Sequence, residues 1–567
     1  MVNKKIQEEL FPEPDLKAEK TIRIAVSGDV LITETERRII DTPAFQRLRR
    51  IKQLGTSYLI YPSAVHSRFE HSLGTLKMSY TMIQKIRESV KIHEEKGFKG
   101  LPNIDKYDEQ IIRLLALLHD ITQIPFGHTL ENESHVIEPD HDNDKDRLEY
   151  FLYKNIDTGM DKGKSIRNII LSKIGEERYK LLFKLLTIKG KDVESLGDKA
   201  YIYDMVKNTL CADLLDYLKR DAYFCNLHLD YGDRFLNFLY LARVKKTPPE
   251  KDTVRLIVRV WKEKEKKHRR DIIDELIQLL YCRFFLSAAV YFHHAKLITS
   301  AMISRAVKEA LDSGIFTKEQ IWDMGDDELL YRLIVDDKSK SKLASNLSKD
   351  LLGRNFYDDF FELPRSDAEE VEEGELLDIL ESKFHINPDY RKNEEDNLST
   401  IYEGENAGEV LIYCPDKKMS LKEAKMLVLW KNNETPIIEI REKLIKKKIN
   451  NILDSHEKLW YFKVFISSKL KEKIEKKLLD VALLRECCNN LVKIGQDKQL
   501  HMQSTLRIMT LDILKNEGIF SSDIVGLVSE EVIKENTEQR ERGGEERITR
   551  KHTKNFINEL LKRENKK

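Results

Sequence analysis

Residues 109–121, EQIIRLLALLHDI, form the stretch of this sequence that decides the fold. Apolar residues dominate from Ile111 to Leu118, and their run predicts a buried α-helix. The helix ends in His119 and Asp120, two adjacent ionisable side chains whose burial requires a compensating partner. One divalent metal ion, bound by neutral imidazole and carboxylate, would provide that compensation. The stretch therefore predicts a helical core built around a metal site.

The His-Asp pair alone is a weak signal, because His141-Asp142 repeats it in the polar loop 138–146, EPDHDNDKD. Two further residues make the signal specific. His71 begins an amphipathic helix upstream, and Asp213 lies downstream in a helical stretch with apolar neighbours. With the first pair they supply four nitrogen and oxygen ligands from three helices. Such a set leaves open positions for water and phosphate oxygens.

Length and composition limit the class of protein. A chain of 567 residues predicts two to four domains. Its 97 basic and 97 acidic residues argue against a wholly basic nucleic-acid-binding surface. Six scattered cysteines without a CxxC pair predict neither a disulfide framework nor a thiolate zinc site. The sequence shows no signal peptide and no apolar run long enough to span a bilayer, so we expect a soluble, cytoplasmic protein without a membrane partner.

The pattern predicts a mainly α fold with five regions. They are an arm at 1–20, a helical catalytic core at 21–365, an acidic linker at 366–405, a small α/β lobe at 406–470, and a helical region with a charged tail at 471–567. The core opens with a hairpin at 22–32, and Thr33 with Glu36 predicts a capping box for the next helix. In the lobe we expect strands at 408–414, 435–440 and 458–466, and helices at 420–430 and 440–453.

Residues 39–75 closely resemble the opening of the HD-domain deoxynucleoside triphosphate triphosphohydrolases, the family of the bacterial dGTP triphosphohydrolase-like enzymes and the mammalian SAM-and-HD-domain enzyme. The stretches 117–131, 214–224 and 279–302 continue this resemblance in the same order. It covers about residues 20–310 and becomes loose beyond residue 366. The resemblance implies an HD-domain helical core and metal-dependent hydrolysis at the α-phosphorus, which releases deoxynucleoside and intact triphosphate.

The resemblance also implies roles for individual residues. The implied metal ligands are His71, His119, Asp120 and Asp213, with manganese, magnesium, iron and zinc all open as the metal. The implied catalytic group contains His128 as general acid, Arg68, Glu131 and His141. The implied substrate-binding residues are Gln53, Arg68, Tyr217, Asp221, Arg283 and Tyr291. Arginines suit phosphate because their planar guanidinium binds two oxygens at once.

A regulatory site is implied as well. In relatives, the residues matching Asp41, Gln46 and Arg49 bind an activating nucleotide at a subunit interface. The resemblance therefore implies nucleoside triphosphates as substrate and activator, and a homo-oligomer that is a dimer or a tetramer. The local sequence leaves another reading open, in which Asp41 caps the helix that resumes at Pro43 and Arg49 faces solvent.

Two departures from the family keep alternatives open. Gln123 stands where the family usually has a second histidine, and Leu214 replaces a phosphate-binding lysine. One alternative is therefore another HD-superfamily nucleotide phosphohydrolase or phosphodiesterase. A second is a non-catalytic nucleotide or nucleic-acid sensor. The four filled ligand positions argue against a sensor, and the acidic run after residue 366 gives a nucleic-acid partner no support.

Overall fold

The computed structural model has a mainly α architecture, which confirms the predicted fold class. Nineteen α-helices and eleven strands in four small sheets are found among the described residues. The described residues are 12–475, without 96–99, 139–143, 158, 246–251, 263–264, 337–340, 370–374, 404–406, 420, 431–432 and 441, together with 485, 488–489, 491, 532, 534 and 556–557.

The described chain opens with the predicted hairpin. Strands β1 (Ala18–Ile24) and β2 (Gly28–Thr33) pair antiparallel. Thr33 and Glu36 form the predicted capping box at the start of α1 (Glu34–Ile40), so two backbone N–H groups at this helix end are satisfied. Helix α2 (Pro43–Gln46) resumes after a short break, as the proline at its first position favours.

The core is a bundle around one long helix, α3. Helices α3 to α9 are, in order, Arg68–Glu95, Lys106–Leu118, Lys145–Tyr153, Ile166–Ile174, Glu176–Thr187, Ala200–Lys207 and Ala212–Phe224. Helix α3 packs against both α4 and α9. Every residue of α4 from Asp108 to Leu118 is buried, which confirms the buried helix predicted from its apolar run. The three helices that carry the expected metal ligands therefore meet in the interior.

Two long helices and three shorter ones follow. Helices α10 to α14 are Arg270–Leu286, His294–Asp312, Lys318–Trp322, Asp326–Val335 and Lys342–Leu352. They are preceded by strands β3 to β6, which are Leu239–Val244, Thr253–Arg259, Trp261–Lys262 and Lys267–His268.

No single helix in the described part of the chain has both the length and the apolar composition to cross a membrane. One pair bent by 60°, Arg270–Tyr291 with His294–Asp312, meets these criteria by length and composition alone.

The segment expected to be an acidic linker is largely helical, which corrects that expectation. After β7 (Asp358–Pro364), helices α15 to α17 are Arg365–Glu369, Glu375–Leu380 and Pro388–Glu403. Their acidic residues include Glu395 and Asp396, which form ion pairs with the buried Arg305. These two acids are therefore buried ion-pair partners, whereas Asp367 and Glu369 of the same segment are exposed.

The region after residue 406 contributes strands to two different sheets. Strands β8 (Val410–Tyr413) and β11 (Tyr461–Ile466) lie within predicted strands and form the sheet β7-β11-β8. By contrast, the last four residues of the expected helix at 420–430 form strand β9 (Leu427–Trp430), in which Val428 pairs in parallel with Val258 of β4. The remaining elements are β10, α18 and α19, at Asn433–Pro436, Lys443–Glu457 and Ser468–Glu475.

Several apolar residues described between 421 and 452 are buried in the main hydrophobic core. Met426, Val428 and Ile449 are buried in the same cluster as helices α3, α4 and α9. Helix α18 packs against α10, and the sheet order is β10-β9-β4-β3. This part of the expected α/β lobe is thereby joined to the helical core, while the exact division into domains stays a prediction.

Candidate active site

Three of the four expected metal ligands converge where α3, α4 and α9 meet. His71 lies in the first turn of α3, His119 follows the last residue of α4, and Asp213 lies in the first turn of α9. Oδ1 of Asp213 is 2.9 Å from Nε2 of His71 and 3.7 Å from Nε2 of His119. The ligand atoms of the three residues all lie within 4.8 Å of one another.

In both imidazole rings, the nitrogen that faces away from Asp213, Nδ1, already has a hydrogen-bond partner. Nδ1 of His71 lies 3.0 Å from Oδ2 of Asp216, and Nδ1 of His119 lies 2.8 Å from the carbonyl oxygen of Ala116. With hydrogens on Nδ1, both Nε2 atoms are acceptors, and they lie only 3.3 Å apart. Two nitrogen lone pairs and a carboxylate directed at one point fit a divalent cation, which HD domains bind.

Asp216 is a site residue that the sequence analysis missed. Its carboxylate contacts His71 and accepts two hydrogen bonds, each 2.8 Å long, from Arg220. Ser27 of the hairpin turn also donates to it, at 3.1 Å. The spacing from Asp213 to Asp216 places both acids on one face of α9, which is the signal that could have revealed this residue.

Asp120 lies beside the triad but is turned towards an arginine. Its Oδ1 is 3.6 Å from Nε2 of His119, while its Oδ2 accepts a hydrogen bond of 2.9 Å from Arg68. Gln123 donates to the same carboxylate at 3.4 Å. The departure from the family at position 123 therefore leaves a buried amide hydrogen-bonded to Asp120.

The carboxylates of the site stabilise positive charge on the neighbouring histidine. Burial by itself would lower the pKa of His71, but hydrogen bonds from its ring to Asp213 and Asp216 raise it to about 10. Burial opposes ionisation of Asp213, yet the two histidines hold its pKa well below the usual range. A divalent cation would therefore have to displace a proton from His71, so its affinity should depend on pH.

Two members of the triad, His119 and Asp213, line a cleft with a volume of about 440 Å³. That volume is within the range of roughly 300–1,000 Å³ that is usual for small-molecule sites. The cleft is lined by all the residues expected to bind substrate and by the expected general acid, namely Gln53, Arg68, Tyr217, Asp221, Arg283, Tyr291 and His128.

Part of the cleft wall is built from aromatic and polar side chains. The hydroxyl of Tyr291 donates a hydrogen bond of 2.7 Å to Asp221, whose second oxygen lies 2.9 Å from Nε2 of His66. Arg283 lies over the rings of Tyr291 and Tyr217, at 5.0 and 5.6 Å from their centroids. Such a wall combines flat apolar surface with fixed polar atoms, as ligand pockets commonly do.

Gln53 and His128 also line the cleft. Oε1 of Gln53 is buried without a hydrogen-bond partner among the described residues, so a ligand would satisfy it. His128 is exposed, and its Nδ1 lies 2.9 Å from Oδ1 of Asn132.

Glu131, another residue of the expected catalytic group, does not line the cleft. It is buried and forms an ion pair with Arg147, and its expected catalytic role stays a prediction. His141 lies outside the described residues, so its expected catalytic role stays a prediction.

The three residues of the expected regulatory site lie together on α2 and beside it, away from the cleft. Arg49 donates to Gln46 at 2.8 Å and stacks on Phe69 at 3.5 Å, while Arg37 donates to Asp41 at 3.3 Å. Asp41 and Arg49 are exposed. Their role in binding nucleotide stays a prediction.

The cleft also contains cations that the sequence analysis did not single out. They are Lys52, Lys207, Lys296 and Lys422. They lie far apart in sequence, so no local pattern could have grouped them. Leu214, where relatives carry a lysine, is instead buried in the main core.

Comparisons with known proteins agree with this geometry. A family model described as HD domain matches residues 68–221, and one described as HD associated region matches residues 273–490. An uncharacterized protein of Methanocaldococcus jannaschii is 28% identical over 480 residues, which cover 82% of this chain and 87% of that protein.

Two similar proteins carry the name deoxynucleoside triphosphate triphosphohydrolase SAMHD1 or its homolog. The Dictyostelium discoideum protein is 26% identical over 60% of this chain and 60% of its own length. The Mus musculus protein is 27% identical over 48% of this chain and 41% of its own length. A solved structure of a hypothetical protein from Aquifex aeolicus shares the fold, with a TM-score of 0.53 and 21% identity over 81% of this chain and all of that one.

The fold and the ligand triad define the class as the HD-superfamily hydrolases, in which a helical core holds a divalent metal. The chain carries an HD domain, and it is similar to the HD-domain deoxynucleoside triphosphate triphosphohydrolases.

Proposed function

We propose that this protein hydrolyses deoxynucleoside triphosphates to deoxynucleoside and triphosphate in a metal-dependent reaction. One observation carries the proposal. His119 and Asp213 of the triad line the same cleft as Arg68, Arg283 and Tyr291, and His71 lies beside them. The names of the Dictyostelium and mouse relatives support a deoxynucleotide substrate.

The reaction adds water to the α-phosphorus, breaks its bond to the 5′-oxygen and transfers a proton to that oxygen. His71, His119 and Asp213, with Asp120 beside them, would hold the cation. When bound, it would supply a Lewis acid that polarises a phosphate oxygen and activates water. Asp216 keeps the ring of His71 in the orientation that this requires.

The phosphate chain would lie along the cations of the cleft. Arg68 hydrogen-bonds to Asp120, so its guanidinium lies beside the triad where the α-phosphate would bind. Lys207 and Lys296 line the same cleft, where Lys296 is paired with Glu133, and Lys207 would supply positive charge in place of the missing lysine at position 214. Fixed cations of this kind stabilise the charge that develops in phosphoryl transfer.

His128 would act as the general acid. It lies at the exposed edge of the cleft, and Oδ1 of Asn132 engages its Nδ1. The protonated ring would therefore donate from Nε2 to the leaving 5′-oxygen.

Tyr291 would select deoxyribose. Its hydroxyl is fixed by Asp221, and Arg283 covers its ring, so the side chain cannot turn away without breaking these contacts. A 2′-hydroxyl packed against this wall would lose its hydrogen bonds to water, at a cost of roughly 1–3 kcal/mol.

Nucleotide activation forms part of the same proposal. Asp41 and Arg49 are exposed and Gln46 between them is partly exposed, so an acid, an amide and a guanidinium lie on one short segment. Such groups can bind a base edge and phosphates. A nucleotide bound there between subunits would favour assembly and make activity rise sigmoidally with nucleotide concentration.

The test is product analysis with the eight common nucleoside and deoxynucleoside triphosphates, in the presence of manganese or magnesium. We expect triphosphate and deoxynucleoside from the deoxynucleotides, and no product from Asp213→Ala. Asp230→Ala, which removes an exposed acid, should stay active. Orthophosphate or a linear nucleotide as product would instead support a different HD-superfamily phosphohydrolase.

A further inference from the structure

A short turn from the HD-associated region forms part of the cleft wall. Residues Lys422–Lys425 make a single 3-10 turn that leads into strand β9. Leu421, Ala424 and Met426 anchor the turn in the main hydrophobic core. Two charged residues of the turn, Lys422 and Glu423, are thereby held in fixed positions beside the substrate-binding residues.

Glu423 lies next to the arginine that covers the two tyrosines. Only 2% of its surface is exposed, and its Oε1 is 3.7 Å from Nε of Arg283. That nitrogen is buried and has no hydrogen-bond partner among the described residues. Arg283 is partly buried, and a nearby negative charge offsets the cost of that burial, so Glu423 compensates Arg283 and keeps it in place.

A second contact ties the same arginine to helix α18. Arg283 donates to Oγ of Ser287 at 3.0 Å, and Nε2 of His456 lies 3.3 Å from that oxygen. Nδ1 of His456 lies 3.0 Å from the carbonyl oxygen of Met419. Arg283 therefore lies beside Glu423 and is linked to His456 through Ser287.

Lys422 lines the same cleft as His119 and Asp213, and its side chain is exposed. At position 214 of α9 the family resemblance implies a phosphate-binding lysine, but this chain has Leu214, which carries no charge.

We infer that the turn at 422–425 completes the substrate pocket. Lys422 binds the phosphate chain, and Glu423 is a positioning residue that holds Arg283 over Tyr217 and Tyr291. The inference rests on the proposed function, since it assigns both residues to a substrate with a phosphate chain.

Lys422 is tested with inorganic triphosphate as the probe, titrated by calorimetry into the full chain loaded with manganese. Lys422→Met should weaken binding about tenfold, as expected for the loss of one charge-assisted contact. Lys425→Met removes an exposed lysine of the same turn and should bind like the unmodified protein. Manganese content should be equal in all three. Equal triphosphate affinity in Lys422→Met, or no binding by the unmodified protein, would overturn the assignment.

Glu423 is tested by steady-state kinetics with a deoxynucleoside triphosphate. Glu423→Gln should raise KM about tenfold and change kcat less than twofold, because Arg283 loses its fixed position while the triad is untouched. Glu423→Asp keeps the charge and should recover most of the affinity. An unchanged KM in Glu423→Gln, or equal losses in both variants, contradicts a positioning role.

The two proposals fail in different ways. If the unmodified protein hydrolyses no nucleotide, the proposed function fails, while triphosphate binding still decides the role of Lys422. If hydrolysis occurs and neither variant differs from the unmodified protein, only the inference about the turn fails.

Discussion

Oδ2 of Asp216 lies 3.0 Å from Nδ1 of His71, and this contact leaves Nε2 of the ring facing the other two members of the triad, His119 and Asp213. The same carboxylate is held by Arg220 and by Ser27 of the N-terminal hairpin. Burial alone would raise the pKa of Asp216, but Arg220 and His71 lower it to about 2, so the group stays ionised at neutral pH. The hairpin is thus joined to the metal site through one buried acid.

Replacing this acid should weaken metal binding. Asp216→Asn removes the charge that orients His71, and we expect roughly a 10- to 100-fold loss of metal affinity. The measurement is a manganese or zinc titration of chelated protein. Asp204→Asn is a matched control, because Asp204 is also buried and pairs with an arginine, Arg255. If both variants lose metal affinity equally, the effect is one of general stability.

Restoring the family's histidine at position 123 should not reduce activity. Gln123 is fully buried, and its amide donates to Asp120 at 3.4 Å. Gln123→His keeps a donor at this position and adds a proton-transfer group, so kcat should be equal or higher. Gln123→Leu removes the donor and should be slower. A large loss in Gln123→His would mean that the pocket is shaped around glutamine and would favour a different reaction.

The protein should prefer deoxynucleotides to ribonucleotides. Tyr291, held by Asp221, leaves a 2′-hydroxyl without a partner, so we expect roughly a tenfold or greater preference for dATP over ATP in kcat/KM. Tyr291→Ala should reduce that ratio. Tyr281→Ala, at an exposed tyrosine on the preceding helix, should leave it unchanged. Comparable turnover of dATP and ATP by the unmodified protein contradicts the prediction.

Arg49 should be needed for activation and not for metal binding. We expect Arg49→Ala to flatten the sigmoidal dependence of activity on nucleotide and to suppress nucleotide-driven assembly, with metal content unchanged. Light scattering at several nucleotide concentrations measures the assembly. Arg50→Ala is the matched control, since the exposed Arg50 pairs with Glu328 instead. Hyperbolic kinetics with an unchanged oligomer would rule out the regulatory site.

His135 should make the protein less stable in mild acid. Burial, His385 and Arg391 lower its pKa to about 4, against 6.5 for an ordinary histidine. The unfolded chain therefore binds more protons between pH 6.5 and 4, so stability falls as pH falls through this window. Because the ring is partly exposed to water, we expect a contribution on the order of 1 kcal/mol.

The variant that tests this is His135→Asn, because asparagine tolerates the left-handed backbone conformation found there, with φ 52°. Denaturant unfolding at pH 7 and pH 5 should show a smaller pH dependence in His135→Asn than in the unmodified protein. His228→Asn, at an exposed histidine, should match the unmodified protein. Equal pH dependence in all three would contradict the assignment.

The sequence by itself determined the features that depend on local pattern. The apolar run before His119 required a buried helix, and the capping residues Thr33 and Glu36 marked the start of α1. His71, His119 and Asp213 could be selected because an imidazole or carboxylate beside apolar residues needs compensation. These inferences use periodicity and burial, which neighbouring residues encode.

Only the tertiary structure decided which distant residues share the cleft. Asp216 reaches His71 from another helix, and Glu423 reaches Arg283 from beyond a segment that reads as a linker. Residues 427–430 have a helical pattern in sequence, yet pairing with β4 makes them a strand. Contacts of this kind depend on which surfaces meet when the core closes. These contacts are stabilised by packing and charge pairing between residues that are far apart in sequence, so local propensities do not predict them.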